Sequence, residues 1–283
     1  MSDNSRSMDR ELEEVIRIAR RAGEVVRAVY ATPFTVEMKG PNDPVTRADR
    51  EANELICGAL AASFPGDAIL AEESVPTDPA EVARLTGRER VWFVDPLDGT
   101  REFTDRIGEF AVMIGLAVKG RAALGVVLTP VDGVVLAGRV GTDRTAFAEE
   151  EGGARRPVTV SDVGDPRKAT IVVSRSHRPP IVDAIIPSLG ISSVVPCGSV
   201  GVKISRLVLG KADLYVHGTV GAKRWDTSAP EAILVAAGGR FSDLGGAPID
   251  YASADIRLTT GIVATNGALH EAVLAAVRGA GGK

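Results

Sequence analysis

The sequence predicts a mixed α and β protein in two parts, an antiparallel α+β layer followed by an α/β layer. Two observations predict it. Between Ala111 and Ala148, apolar or β-branched runs are separated by Gly and Pro-Val-Asp-Gly turns, the pattern of an antiparallel meander. From Thr170 onward, short β-branched runs alternate with helix-length segments, the pattern of an α/β layer. The stretch Arg155–Arg167 between them turns polar and carries Pro157 and Pro166. We therefore expect an N-terminal α+β domain over 1–158 and a C-terminal α/β domain over 159–283. At 283 residues, 45% hydrophobic and 25% charged, the chain has the composition of a soluble globular protein with ample core.

The elements follow in order. Residues 1–8 read as a loose terminus. From Met8 to Tyr30, Leu12, Val15, Ile16, Ala19, Ala22, Val26 and Val29 recur at three- and four-residue steps, which predicts an amphipathic helix with an Arg-rich solvated face. Lys39 to Asp49 reads as a loop feeding a second helix, whose apolar side is Ala52, Leu55, Ile56, Ala59, Leu60 and Phe64. Ala68-Ile69-Leu70 is a short strand leading into Glu72 and Glu73, and residues 75–90 read as a surface loop with one helical turn. Val91–Val94 is a buried strand that Pro96 ends at Asp95. Strands follow at Ala111–Val118, Gly125–Thr129, Gly133–Ala137 and Arg144–Ala148. In the second half, strands at Thr170–Ser174, Ile191–Pro196, Ala212–His217 and Gly261–Thr265 alternate with helices at Pro180–Leu189, Gly201–Leu209, Ser228–Ala237 and Leu269–Arg278.

One stretch organises the rest: Trp92-Phe93-Val94-Asp95-Pro96-Leu97-Asp98-Gly99-Thr100-Arg101-Glu102-Phe103. Gly99 permits a tight turn and Thr100 can cap a following helix. Asp95 and Asp98 then sit on a short turn beside a helix N-terminus. Carboxylate oxygens suit hard cations, and helix N–H groups suit phosphate. Asp, Pro and Gly are equally the residues of an ordinary turn. Glu72 and Glu73 read either as solvated surface charge or, following a buried strand, as groups in need of a cation. Thr46 and Asp49 have capping-box spacing, and Asp226 can N-cap the helix at 228–237.

Taken together, Glu72-Glu73, Asp95-Pro96-Leu97-Asp98-Gly99-Thr100 and Trp225-Asp226 resemble the signatures of the inositol monophosphatase superfamily, the Mg²⁺-dependent, Li⁺-sensitive phosphatases. Their order and separation fit over most of the chain. The resemblance implies a layered α-β-α-β-α sandwich of the sugar-phosphatase type. It implies two or three Mg²⁺ ions held by Glu72, Asp95, the Leu97 carbonyl, Asp98 and Asp226. It assigns Asp49, Thr100 and Glu73 to catalysis, with Thr100, oriented by Asp49, positioning the attacking water. Phosphate oxygens would meet the N–H groups of Gly99 and Thr100, and Lys39 would add positive charge unless it is merely solvated.

Within the superfamily, Arg101-Glu102-Phe103 stands where inositol monophosphatases read Thr-Asn-Phe, and looks like the CysQ-type 3′(2′),5′-bisphosphate nucleotidases. Ser174-Arg175-Ser176-His177 and Cys197-Gly198-Ser199 resemble segments that line the nucleoside pocket of that family. Ser174, His177 and Ser199 are thus candidates for nucleoside contacts, and Lys223 or Arg224 for a second phosphate. Ala229-Pro230-Glu231, where CysQ-type proteins more often have Ala-Ala-Gly, departs from the pattern and bears on substrate choice. The expected function is hydrolysis of 3′-phosphoadenosine 5′-phosphate to AMP. Alternatives are an inositol-1-monophosphatase or broad sugar phosphatase and, less favoured, a non-catalytic sensor of a phosphorylated metabolite.

Other classes find no support. A net charge of −4 argues against a nucleic-acid-coating surface or a membrane patch. Cys57 and Cys197 read as core thiols, and His177, His217 and His270 are too dispersed for a His-based site. Gly198 to Lys203 fails P-loop spacing, and no GxGxxG occurs. With a polar N-terminus and no long apolar run, the expected location is cytoplasmic. The expected partner is a small phosphorylated metabolite, with a homodimer an open expectation.

Overall fold

The structure, a computed structural model, describes residues 3–40, 43–141, 143–175, 178–218 and 221–281, with side chains from residue 8 onward. Helix α1 (Asp3–Tyr30) leads through a hairpin of β1 (Val36–Gly40) and β2 (Asp43–Thr46) into α2 (Arg47–Ser63). The predicted apolar stripe of α1 is buried from Leu12 to Val29, and packs with Ala48, Ala52, Ile56 and Leu60 of α2 on one face of a seven-stranded sheet. In spatial order the sheet runs β3 (Ala68–Ala71), β4 (Arg90–Asp98), β5 (Ala111–Val118), β6 (Arg121–Thr129), β7 (Val134–Arg139), β8 (Thr145–Glu149) and β9 (Arg156–Pro157). Only the β3–β4 pair is parallel. The short helices α3 (Pro79–Thr86) and α4 (Thr100–Thr104) flank β4 in sequence.

The second sheet has five strands. Its elements in chain order are β10 (Thr170–Ser174), α5 (Pro180–Leu189), β11 (Ser193–Cys197), α6 (Val200–Val208), β12 (Leu214–His217), α7 (Trp225–Ala236), β13 (Arg240–Ser242), β14 (Ile262–Thr265) and α8 (His270–Gly279). The strand order is β11-β10-β12-β14-β13, parallel among the first three and antiparallel at β14. Helices α6 and α7 fill the space between the sheets, in one core that joins Phe93, Met113 and Val127 to Trp225, Ile233 and Tyr215. Helices α5 and α8 cover the outer face of the smaller sheet through Val182, Ile185, Val273 and Val277. The layering is α-β-α-β-α, as expected.

Glycine sets how closely α7 approaches. A Cβ at Gly125 would stand 2.3 Å from the Ala229 carbonyl oxygen, and one at Gly115 would stand 2.5 Å from the Ala229 nitrogen. The first turn of α7 therefore lies directly on the backbone of β5 and β6, and this seats Asp226 beside the end of β4.

Several local readings are revised. Of Lys39 to Asp49, read as a loop, Lys39 and Gly40 end β1, Asp43–Thr46 form β2 and Arg47 begins α2; most of β1 is exposed, so no apolar alternation announced it. Residues 75–90 contain a full helix, α3, capped by Asp78 with Pro79 at its first position. Pro96 does not end β4. The register passes from Asp95–Met113 to Asp98–Ala111 across a bulge, so the missing N–H of Pro96 falls where the ladder is already interrupted. Helix α7 starts at Trp225 rather than Ser228, and β9 and β13 are additional short strands.

Candidate active site

The bulge at the end of β4 turns two carboxylates out of the strand. Asp95 is buried, and its Oδ1 accepts from the Leu97 N–H at 3.0 Å. Asp98 lies at the seam between the two sheets. Its Oδ2 accepts from the Ser199 hydroxyl at 2.5 Å and from the Gly201 N–H at 2.7 Å, both at the start of α6. Gly99 then adopts φ +93°, where a side chain would be strained and would press on the Glu109 carbonyl at 2.9 Å. Gly99, not Thr100, stands at the cap position of α4, and Thr100 is its first residue.

The Thr100 hydroxyl is used elsewhere. It lies 3.0 Å from Asp49 Oδ1 and 3.1 Å from the Leu97 carbonyl. The other oxygen of Asp49 accepts from both the N–H and the hydroxyl of Thr46, at 2.7 Å each. The capping box that spacing suggested is thus formed, and the same carboxylate orients Thr100. Burial raises the Asp49 carboxyl above its ordinary range, against the lowering effect of these hydrogen bonds.

Glu72 and Glu73 form a single 3₁₀ turn directly after β3. Lys39, on β1, reaches Glu73 Oε1 at 2.6 Å and Glu72 Oε1 at 3.1 Å. Lys223 Nζ stands 3.7 Å from the same Glu72 oxygen. Burial works against the charge on Lys39, but the two glutamates outweigh it and hold its pKa raised. Burial raises Glu73, with Lys39 opposing.

Asp226 projects from the first turn of α7, where its Oδ2 accepts from the Lys223 N–H at 2.8 Å. Burial lifts Asp226 and Asp95 well above the ordinary carboxylate range. For Asp95 the repulsion comes from Glu72, Asp98 and Asp226; for Asp226 it comes from Asp98 and Glu72. Asp98 is raised as well, by burial, which outweighs its bonds to Ser199 and Gly201 and the charge of Lys203. Four carboxylates from β4, α7 and the turn after β3 thus face one another at low exposure. As they stand, each rests against a protein donor, and among the described residues no three carboxylate, imidazole or thiolate groups come together closely enough to hold a metal ion. The donor set is oxygen only and crowded with negative charge, which is the chemistry a hard divalent cation relieves.

The sequence profile of the inositol monophosphatase family matches residues 8–281. The chain belongs to the inositol monophosphatase family. Among family members, the chain is 36% identical over 253 residues to the 3′(2′),5′-bisphosphate nucleotidase CysQ of Escherichia coli O157:H7, covering 88% of this chain and 97% of that one. It is 31% identical over 284 residues to human 3′(2′),5′-bisphosphate nucleotidase 1, covering 89% and 88%. Of solved family structures, CysQ from Bacteroides thetaiotaomicron superposes with a TM-score of 0.74 at 32% identity, covering 90% of this chain and 97% of that one. The inositol monophosphatase of Anabaena sp. PCC 7120 shares the fold at TM-score 0.77 and 24% identity, over 96% and 97% of the two chains. Among the described residues no helix is long and apolar enough to cross a membrane.

Against this family frame, the tertiary structure gathers Lys39, Asp49, Glu72, Glu73, Asp95, Leu97, Asp98, Gly99, Thr100, Lys223 and Asp226 around one site. Arg224 does not join them. Its buried guanidinium donates to the backbone carbonyls of Asp250 and Asp255, so it holds the 250–255 loop and is not available to a second phosphate. Ser174 ends β10, beside the strand that carries Tyr215. His177 lies outside the described residues. Ser199 bonds Asp98 rather than standing free for a ribose. Two groups were missed from sequence: the Gly201 N–H, and Lys203, buried at 4% exposure with Nζ 3.1 Å from the Ser199 carbonyl. A lysine four residues after Ser199, on the same helix face as that cap, was the available signal.

Proposed function

We propose that the chain is a Mg²⁺-dependent phosphomonoesterase, a 3′(2′),5′-bisphosphate nucleotidase that converts 3′-phosphoadenosine 5′-phosphate to AMP and phosphate. The observation that carries the chemistry is the Asp49–Thr100 pair, which meets the four-carboxylate cluster at the end of β4. The choice of substrate is supported by the 36% identity to CysQ along 97% of its length.

Glu72, Asp95, the Leu97 carbonyl, Asp98 and Asp226 would hold the ions. When bound, Mg²⁺ supplies charge neutralisation for the phosphoryl group and a lowered pKa for water. The remaining work falls to side chains. Thr100 gives its proton toward Asp49, so its lone pairs are left to accept from a water and aim that water at phosphorus. Asp49 is held by Thr46 in the rotamer that fixes Thr100. As the water oxygen bonds phosphorus, its proton passes to the Thr100 oxygen while the Thr100 proton goes to Asp49; the bond to the ribose 3′-oxygen breaks, and that oxygen takes a proton from solvent water. The N–H groups of Gly99 and Thr100 would meet phosphate oxygens. Lys39 and Lys223, now on Glu72 and Glu73, add positive charge at the mouth.

The test is phosphate release with Mg²⁺ from 3′-phosphoadenosine 5′-phosphate and inositol 1-phosphate side by side. A preference for the nucleotide of about a hundredfold in kcat/KM, close to 3 kcal/mol of differential transition-state binding, is expected. The reverse preference would make this an inositol phosphatase. Release from neither would favour a binding protein.

A further inference from the structure

We infer that Ser199 is a positioning residue for Asp98, turning that carboxylate from the C-terminal layer so that only Oδ1 is presented to an ion. The inference rests on the metal-site reading above. Four observations carry it. The Ser199 hydroxyl lies 2.5 Å from Asp98 Oδ2 across a sequence separation of 101 residues, and Ser199 is 6% exposed. The same hydroxyl accepts the Val202 N–H at 3.1 Å as the cap of α6, so its own proton goes to Asp98. The Gly201 N–H, at 2.7 Å, fills the remaining space on Oδ2. Ser199 also holds φ +50° and ψ 134°, a conformation non-glycine residues rarely adopt.

That backbone is held from two sides. The Ser199 carbonyl accepts from the buried Lys203 Nζ at 3.1 Å. At Gly99, the residue after Asp98, an added Cβ would stand 3.2 Å from Ser199 Cβ, so the two turns touch. Glycine would fit the strained φ better than serine does, and glycine caps helices nearly as well. Serine at this position supplies what glycine lacks, a proton for Asp98. The hydroxyl therefore serves the carboxylate as well as the helix, and only the first role is beyond glycine.

The experiment measures Mg²⁺ affinity by calorimetry on the substrate-free protein, for wild type, Ser199→Gly and Ser199→Ala, with melting temperatures recorded alongside. Ser199→Gly relieves the strained φ, so it is expected to melt at or above the wild-type temperature while binding Mg²⁺ ten- to a hundredfold more weakly. Ser199→Ala keeps the Cβ and is expected to show the same loss of affinity, which secures the result if either variant folds poorly. Wild-type affinity in the variants, with a raised KM for nucleotide instead, would overturn the inference and return Ser199 to the substrate pocket. A wild-type chain that binds no Mg²⁺ would overturn the metal reading itself, a result distinct from the first.

Discussion

The Thr100 hydroxyl stands 3.0 Å from Oδ1 of Asp49, a carboxylate whose other oxygen is held by the N–H and hydroxyl of Thr46. One helix cap therefore fixes the orientation of a hydroxyl that begins another helix. Asp49→Asn keeps an acceptor for Thr46 but loses the charge that draws the Thr100 proton. We expect kcat to fall by about 10²–10⁴ with KM for the nucleotide little changed. Steady-state phosphate release measures both constants. A drop confined to KM would remove Thr100 from the attack step.

Asp98→Asn should abolish turnover while leaving the fold intact, because the neutral amide removes the negative charge that Asp98 offers a cation. Near-wild-type activity with Mg²⁺ would refute the assignment of Asp98.

The crowding around Asp95 predicts a trade between stability and activity. Its carboxyl is raised by burial and by repulsion from Glu72, Asp98 and Asp226. Asp95→Asn keeps the acceptor for the Leu97 N–H and removes one of the four charges. In chelator-treated protein at pH 7 the variant is expected to be more stable than wild type by about 1–2 kcal/mol, with turnover lost. Denaturant titration with and without Mg²⁺ reads this. Equal destabilisation in both would mean that Asp95 is a structural group.

His270 sets an acid limit far from the site. It is buried between the Ser242 and Thr265 hydroxyls, each 3.1 Å from a ring nitrogen. Burial, with the charge of Arg240 adding, lowers its pKa from 6.5 to about 4. Between those values the unfolded chain binds more protons than the native one. The contribution is therefore intact above pH 6.5 and lost as pH falls toward 4, approaching about 3 kcal/mol at full effect. Denaturation curves at pH 7, 5.5 and 4.5 should show a shallower acid loss for His270→Gln than for wild type. Parallel losses would exclude His270 as the source.

Gly125 tests the seat of α7. Its added methyl would lie 2.3 Å from the Ala229 carbonyl, and backbone cannot yield there as a side-chain tip can. Gly125→Ala should cost about 1–3 kcal/mol and, by lifting the turn that carries Asp226, weaken Mg²⁺ binding too. Wild-type Mg²⁺ affinity in a folded variant would show that Asp226 does not depend on this contact.

Much of this was legible in the sequence, because it depends on local periodicity. The α1 stripe from Leu12 to Val29 and the runs of β5 to β8 carry their own burial pattern, and the motif at 95–100 announces its turn through Gly99. Illegible features were those set by partners far along the chain. The β1 strand is mostly exposed and has no alternation to read. Arg224, adjacent to a motif and cationic, looked like a phosphate contact until its guanidinium was found on the carbonyls of Asp250 and Asp255.

The sequence by itself determined the strand that delivers Asp95 and Asp98 and the identities of the acidic groups, each written in a short motif, and the layered class followed from the family resemblance that those motifs carry together. Only the tertiary structure decided that Asp98 meets Ser199 and that Lys39 and Lys223 share Glu72. Those pairings join segments that periodicity treats as independent. A hydrogen bond acts over about 3 Å, and only the close approach of α2, α6 and α7 to the end of β4 brings these atoms within it.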